Sequence, residues 1–358
     1  MCLYGYLCPV KTRKDIRAIN AAELQAWFAA EGQPKYRSKQ VLEWLWAKSA
    51  TSFDEMSSLS KDLIIRLEEE FTIHTLKICE LQKSKDGTIK NAFQLYDGKV
   101  VEGVLIPTEN RMTACISSQV GCSLTCSFCA TGRMERLRNL DAGEMYDQVV
   151  ILKRQAEENY RIPLSNIVYM GMGEPLLNYN EVLQSVHHIT SPEGLGMSPQ
   201  RITVSTAGIA KMIHKLGDDE VKFNLALSLH AANDEKRNRI MPINEQNSLD
   251  SLADALNHFY QKTGSRVTFE YIIFRDFNDS LQDAEDLVAF CKKVTSKVNI
   301  IEYNPIEGGE FRQTTSERLK EYVQLLEKNH IIVNVRRSRG KDIDAACGQL
   351  ANKKPHQK

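Results

Sequence analysis

Cys122-Ser-Leu-Thr-Cys126-Ser-Phe-Cys129 is the stretch that most limits what this chain can become. Three thiols within eight residues, between Gly121 and Ala130-Thr-Gly132, can converge from one tight loop onto a single inorganic centre, because thiolates are the usual ligands of zinc and of iron–sulfur clusters. A zinc ribbon carries paired CxxC elements, and no second CxxC or HxxxH occurs here. Structural zinc would have to recruit Cys115 or His230 as its fourth ligand, and plain burial of the cysteines would not need this spacing. A cubane held by three cysteines leaves one iron open to a small molecule.

With 358 residues, 42% of them hydrophobic and 26% charged, the chain has material for a barrel-sized core plus a smaller domain. The 46 basic residues balance 46 acidic ones, so a nucleic-acid partner has to be met by local basic patches. Nine cysteines are too sparse for a secreted disulfide scaffold, and an open-iron cluster needs a reducing compartment, so a cytoplasmic location is expected. Met1–Val10 is mildly apolar, but it lacks a basic start and runs into Lys11, Arg13 and Lys14, unlike a signal peptide. No later run approaches the roughly 20 apolar residues of a membrane span.

Helical periodicity dominates from Asn20 to about Phe71, in Ala21–Phe28, Ser38–Ala47 and Ser57–Glu70, which predicts a helical accessory domain over 1–75. Lys35, Arg37, Lys39 and Lys48 there suit either an RNA face or an ordinary solvated surface. Residues 76–110 change to period two, with strands expected at Leu76–Gln82, Ala92–Leu95 and Val100–Ile106 in a β-meander. Glu102 falls in the last of these, where the plain reading is an exposed edge-strand residue.

From 111 to 350, strands expected at Met112–Ser117, Asn166–Met170, Arg201–Ser205, Phe223–Ser228, Val267–Ile273 and Val298–Tyr303 alternate with helices. The helices are Asp141–Asn159, Tyr179–Thr190, Ile209–Leu216, Leu249–Lys262, Ser280–Val294 and Thr315–Asn329. The class is therefore α/β. Six βα units predict a partial (β/α)6, TIM-like barrel with its site at the strands' C-terminal ends, followed by a short basic tail over 351–358.

Gly171-Met-Gly-Glu-Pro175 directly follows the second barrel strand; its glycines, Gly173 among them, let backbone approach a ligand, and Glu174 can accept from an ammonium group. Ser205, then Ser228-Leu229-His230, then Asn304 end successive later strands and suit an adenosine-and-ribose pocket. Cys115 and Cys347 fall near the same mouth, whereas Cys2, Cys8, Cys79 and Cys291 read as buried, inert thiols. Arg133, Arg136 and Arg138 after the cysteine loop, and Arg336, Arg337, Arg339 and Lys341 before Cys347, suit RNA phosphates.

The cysteine loop and the Gly-rich turn resemble those of the radical S-adenosylmethionine (SAM) superfamily. With Ser117–Cys122, Met170–Asn178, Ser228–His230, Arg337–Gly340 and Asp342–Leu350, nearly the whole chain from about residue 20 resembles the bacterial adenine-C2 RNA methyltransferases of that superfamily. The resemblance implies a [4Fe-4S] cluster on Cys122, Cys126 and Cys129, and SAM held by Gly173, Glu174, Ser205, Ser228, Leu229, His230 and Asn304. It implies methylation at C2 of one adenosine in the peptidyl-transferase region of 23S rRNA and of the adenosine just 3′ of tRNA anticodons; the related C8 methyltransferases of the antibiotic-resistance type are the alternative. By that resemblance Cys347 carries a methyl group as S-methylcysteine, Glu102 accepts the C2 proton, and Cys115 resolves the protein–RNA thioether through a transient disulfide with Cys347. An electron donor such as flavodoxin, a thiol reductant and a monomeric state complete what it implies.

Overall fold

The computed structural model describes residues 13–352, so Cys2, Cys8 and nearly all of the expected basic tail lie outside the described residues. Helices α1 (Ala21–Ala30), α2 (Tyr36–Trp46) and α3 (Lys61–Glu70) form the N-terminal unit. Asn20 and Ser60 cap α1 and α3 with side-chain oxygens that accept from Glu23 and Leu63 amides. Leu24, Phe28, Val41, Leu45, Leu63 and Leu67 form its buried stripe. Lys14–Asp15 pairs in parallel with Phe71–Thr72 and closes the unit.

Ten strands then make one sheet: β1 (Lys77–Lys83), β2 (Ile89–Gln94), β3 (Val100–Thr108), β4 (Arg111–Cys115), β5 (Leu164–Tyr169), β6 (Ile202–Thr206), β7 (Asn224–Ser228), β8 (Val267–Ile272), β9 (Ser296–Ile301) and β10 (Val333–Arg336). They lie side by side in chain order, antiparallel from β1 to β4 and parallel from β4 to β10. The parallel strands are joined through α4 (Ala142–Tyr160), α5 (Tyr179–Thr190), α6 (Ala210–Asp218), α7 (Asp234–Ile240), α8 (Leu249–Thr263), α9 (Leu281–Lys293) and α10 (Ser316–Lys328). The expected partial barrel is present, with two additions, α7 and the short exposed strand β10. β8 is buried at every residue, as a strand covered on both faces should be. Among the described residues, no helix is long and apolar enough to cross a membrane.

Two sequence readings are corrected. Glu102 is 2% exposed, because β3 is an interior strand between β2 and β4 and not an edge. Cys79 is exposed on the edge strand β1, its thiol meeting only the Ala92 carbonyl at 3.3 Å, while Cys291 is buried as expected.

Arg17 ties the N-terminal unit to α4: its guanidinium donates to Asp147 Oδ1 at 2.7 Å, lies 3.6 Å from Asp15 Oδ2, and also donates to the His74 carbonyl. Trp46 stacks on His188 with ring centroids 3.6 Å apart, a second contact between the units. Replacing Arg17 with Met leaves two enclosed carboxylates without their cation, so Arg17→Met is expected to destabilise the protein by about 3–5 kcal/mol. A lower midpoint in urea unfolding checks this.

Candidate active site

The C-terminal ends of the parallel strands surround a cavity of about 650 Å³ whose wall includes Cys115, Cys122, Cys126, Cys129 and Cys347. The cysteine loop is shaped by residues that only it needs. Gly121 has φ +77°, and a Cβ there would lie 2.0 Å from the Glu135 carbonyl oxygen. Cys129 N–H donates to the Cys126 carbonyl at 3.1 Å, folding the CxxC into a turn.

Burial pushes the Cys122 thiol up to about 11, and burial together with the neighbouring thiolates raises Cys126 as well. Burial also raises Cys129 against the N–H groups of Gly132 and Thr131. Three thiols so placed ionise only when a positive centre takes them. Their sulfurs do not gather within 4.8 Å of one another. A single tetrahedral zinc, with Zn–S near ~2.3 Å, needs them closer than that, whereas a multi-iron cluster gives each cysteine its own iron. His230 is no zinc ligand in waiting: its Nδ1 accepts from Ile272 N–H at 3.2 Å, and burial plus Arg237 lower its pKa to about 3. The neutral ring therefore carries its proton on Nε2.

Beside the cysteines, Gly173 (φ +96°) passes so close to Gln119 that a Cβ would lie 2.4 Å from the Gln119 Cβ. Glu174 is buried; Oε1 accepts from Leu176 N–H at 3.0 Å and Oε2 from Ala207 N–H at 2.7 Å. Burial raises its carboxyl against those donors, which keeps the group fixed at the cavity wall. Ser205 and Ser228 hydroxyls lie 3.4 Å apart on the same wall, and His230 joins them. This half of the site offers acceptors and hydroxyls for an amino acid and a ribose.

Cys347 arrives on a segment pinned from several directions. Ala130 N–H donates to the Gly348 carbonyl at 2.7 Å and Thr131 Oγ1 to the Leu350 carbonyl at 2.6 Å, fastening the segment to the cysteine loop. The β1–β2 turn clasps it too: Ser84 Oγ and Lys85 N–H donate to Asp342 at 2.5 and 3.1 Å, and Gly340 N–H donates to Asp86 at 2.9 Å. Both Cys115 and Cys347 are unpaired thiols facing the cavity. Cys115 is buried and Cys347 exposed; burial raises the Cys115 thiol, and Cys347 adds to the effect.

Three expected site residues do not line the cavity. Leu229 turns its side chain into the core, and its main chain is engaged by the Glu270 carbonyl and the Arg237 guanidinium. Asn304 sits behind the Cys347 segment, its amide 3.3 Å from the Cys347 carbonyl. Glu102 is covered by the last described residues: its Oε2 accepts from Ala351 and Asn352 N–H at 2.8 and 3.2 Å. The basic residues also divide. Arg336, Arg337 and Arg339 face the cavity, but Arg138 is committed to Glu144 and Asp97, Arg133 to the carbonyls of Glu307 and Gly308, and Lys341 to Glu302.

Sequence reasoning missed Arg237, Glu270 and Lys90. Arg237 is fully buried and donates to the carbonyls of Ala207 and Leu229 at 2.5 and 3.0 Å, tying two strand ends together beside Cys126. Within Asp234-Glu-Lys-Arg-Asn-Arg-Ile240 nothing distinguishes it from its solvated neighbours. Glu270 had a signal, as the one charge inside the apolar run Val267–Phe274; it is 3% exposed, and its Oε2 has no protein partner.

A model of the ribosomal RNA large subunit methyltransferase N-terminal domain matches residues 14–73, and one of the radical SAM superfamily matches residues 116–291. A Cytophaga hutchinsonii protein described as a probable dual-specificity RNA methyltransferase RlmN is 58% identical over 97% of this chain and 97% of its own. The dual-specificity RNA methyltransferase RlmN of Nitratidesulfovibrio vulgaris is 44% identical over 94% of each chain. A crystal structure of a radical SAM methyltransferase from Sphaerobacter thermophilus superposes with TM-score 0.88 at 40% identity, over 94% of this chain and 99% of that one.

Proposed function

Since this chain belongs to the RlmN family of radical SAM RNA methyltransferases, we propose that it methylates C2 of adenosine in 23S rRNA and in tRNA, using Cys347 as the methyl carrier. The observation that carries the reading is that two unpaired thiols outside the cysteine loop, Cys115 and Cys347, face the same cavity as the loop's three. A binding protein has no use for that arrangement.

Cys122, Cys126 and Cys129 would hold the [4Fe-4S] cluster, and Gly173, Glu174, Ser205, Ser228 and His230 would line the SAM subsite, with Leu229 and Asn304 in support through the main chain and the Cys347 segment. When bound, the pair supplies a methyl group in one use and a 5′-deoxyadenosyl radical in another. Adenine C2 is an electron-poor carbon that does not attack a methyl cation equivalent. The chain's residues therefore do the intervening work. Cys347, as thiolate, takes the methyl group and later bonds through it to C2. Glu102 takes the C2 proton. Cys115, as thiolate, attacks the Cys347 sulfur; an S–S bond forms, the bond from Cys347 sulfur to the carbon breaks, that carbon keeps the electron pair and takes a proton to become the C2 methyl group, and the RNA leaves. A cellular thiol reductant returns two electrons to that disulfide, and a donor such as flavodoxin feeds the cluster. The target adenosine is flipped out of its RNA to reach the cavity, with Arg336, Arg337 and Arg339 on neighbouring phosphates. The enzyme acts as a cytoplasmic monomer.

Incubating anaerobically purified protein with SAM, reductant and each RNA is expected to yield 2-methyladenosine by nucleoside mass spectrometry. Formation of 8-methyladenosine would favour the C8 alternative, and an iron-free, fully zinc-loaded protein would end the radical reading.

A further inference from the structure

We infer that Lys90 is a positioning residue for Glu102, whose ammonium group holds the buried carboxylate in place for taking a proton. The inference rests on the reading of Glu102 as proton acceptor given above.

Lys90 on β2 is 5% exposed and Glu102 on β3 is 2% exposed. In the antiparallel register Ala92 opposes Glu102 and Lys90 opposes Val104, so the two side chains are diagonal neighbours on one face of the sheet. Lys90 Nζ lies 3.4 Å from Glu102 Oε1 and 3.4 Å from the Asp344 carbonyl oxygen. From the C-terminal segment, Ala351 and Asn352 N–H hold Oε2, and the Asp344 carbonyl accepts from the Lys90 ammonium. From the turn after β5 comes only the neutral Met172 sulfur, which accepts the Glu102 amide. The positive charge facing Glu102 is thus Lys90.

A carboxylate enclosed without a cation lacks the partner that offsets its burial and fixes its position. The two amides do not remove this need, because they belong to the cover. Leu350 lines the cavity, and the next two residues lie over Glu102, so the carboxylate reaches a base in the cavity only by leaving those N–H groups. At that moment Lys90, on its flexible four-carbon stem, is the partner that can follow. In the step itself the C2–H bond breaks, its electron pair returns to the purine ring, and the proton moves to a Glu102 oxygen.

The test uses cluster-loaded Lys90→Met, Lys90→Gln and Lys90→Arg with SAM, reductant and tRNA, reading Cys347 methylation by mass spectrometry and RNA release by denaturing gel. Lys90→Met or Lys90→Gln is expected to methylate Cys347 normally but to release RNA about 10²-fold more slowly, and Lys90→Arg to restore the rate. Unchanged release overturns the inference, as does an equal loss of Cys347 methylation and release in both neutral variants. Glu102→Gln separates the two readings: normal release there removes Glu102 as the acceptor, whereas a stall in Glu102→Gln without one in Lys90→Met removes Lys90 alone.

Discussion

Cys115→Ala is expected to leave RNA covalently attached to the protein through Cys347. Were Cys115 only a packing residue, cutting it to Ala would lower stability by about 1 kcal/mol and leave each turnover complete. Its position argues otherwise: it closes β4 with its thiol on the cavity wall, 7% exposed, where the Cys347 segment is also held. Without that thiol, Cys347 can still be methylated and joined to C2, but nothing is placed to attack its sulfur. About one RNA per chain should then be bound and none released. A shifted band on a denaturing gel, absent from the Cys115→Ala/Cys347→Ala double variant, checks the result; free methylated RNA in normal yield would sink the resolving role.

Cys126→Ala, like the matching changes at Cys122 and Cys129, is expected to reduce 5′-deoxyadenosine formation to background. Two thiolates hold a cubane poorly, and Cys126 is the loop's buried cysteine where the other two are half-buried. The loop should survive, since its turn is made by main chain, Cys129 N–H to the Cys126 carbonyl, and Ser127 N–H donates to the Ile240 carbonyl at 3.0 Å. Iron content and 5′-deoxyadenosine measured on the same anaerobic preparation distinguish cluster loss from unfolding. Retained 5′-deoxyadenosine in any of the three variants contradicts the ligand assignment.

What could be read in the sequence was what periodicity and spacing encode. β8 and α9 announce themselves, one as a run rich in β-branched and aromatic residues and the other as an apolar stripe behind a Ser280–Asp283 capping box. β10 did not, because Val333-Asn-Val-Arg336 is short and exposed, and it becomes a strand only by adding to the edge that β9 presents. Cys79 was misread because an edge strand and an interior strand have the same composition until their neighbours are known. Glu102 was misjudged by its plain reading for the same reason. Lys90 lies a dozen residues upstream, and only the β2–β3 register and the returning C-terminus show that the two charges share one enclosed space. Arg237 was hidden by its charged neighbours. The five thiols that share the cavity were legible because a residue's own chemistry, unlike its partner, is written at its own position.

The clasp between the β1–β2 turn and Asp342 also sets an order of events in biosynthesis. Ser84 and Asp342 are 258 positions apart, so the turn emerges from the ribosome early and waits through synthesis of the entire barrel for its partner. Until then the cavity lacks the wall that carries Cys347, Leu350 and the cover over Glu102, and the cysteine loop faces solvent on that side. The interval before the clasp closes is when the cysteine loop is most open, and the Cys347 thiol docks beside it only afterwards. A chain cut short by even its last few turns of sequence would be left with a barrel and a cysteine loop but without the thiol that faces them.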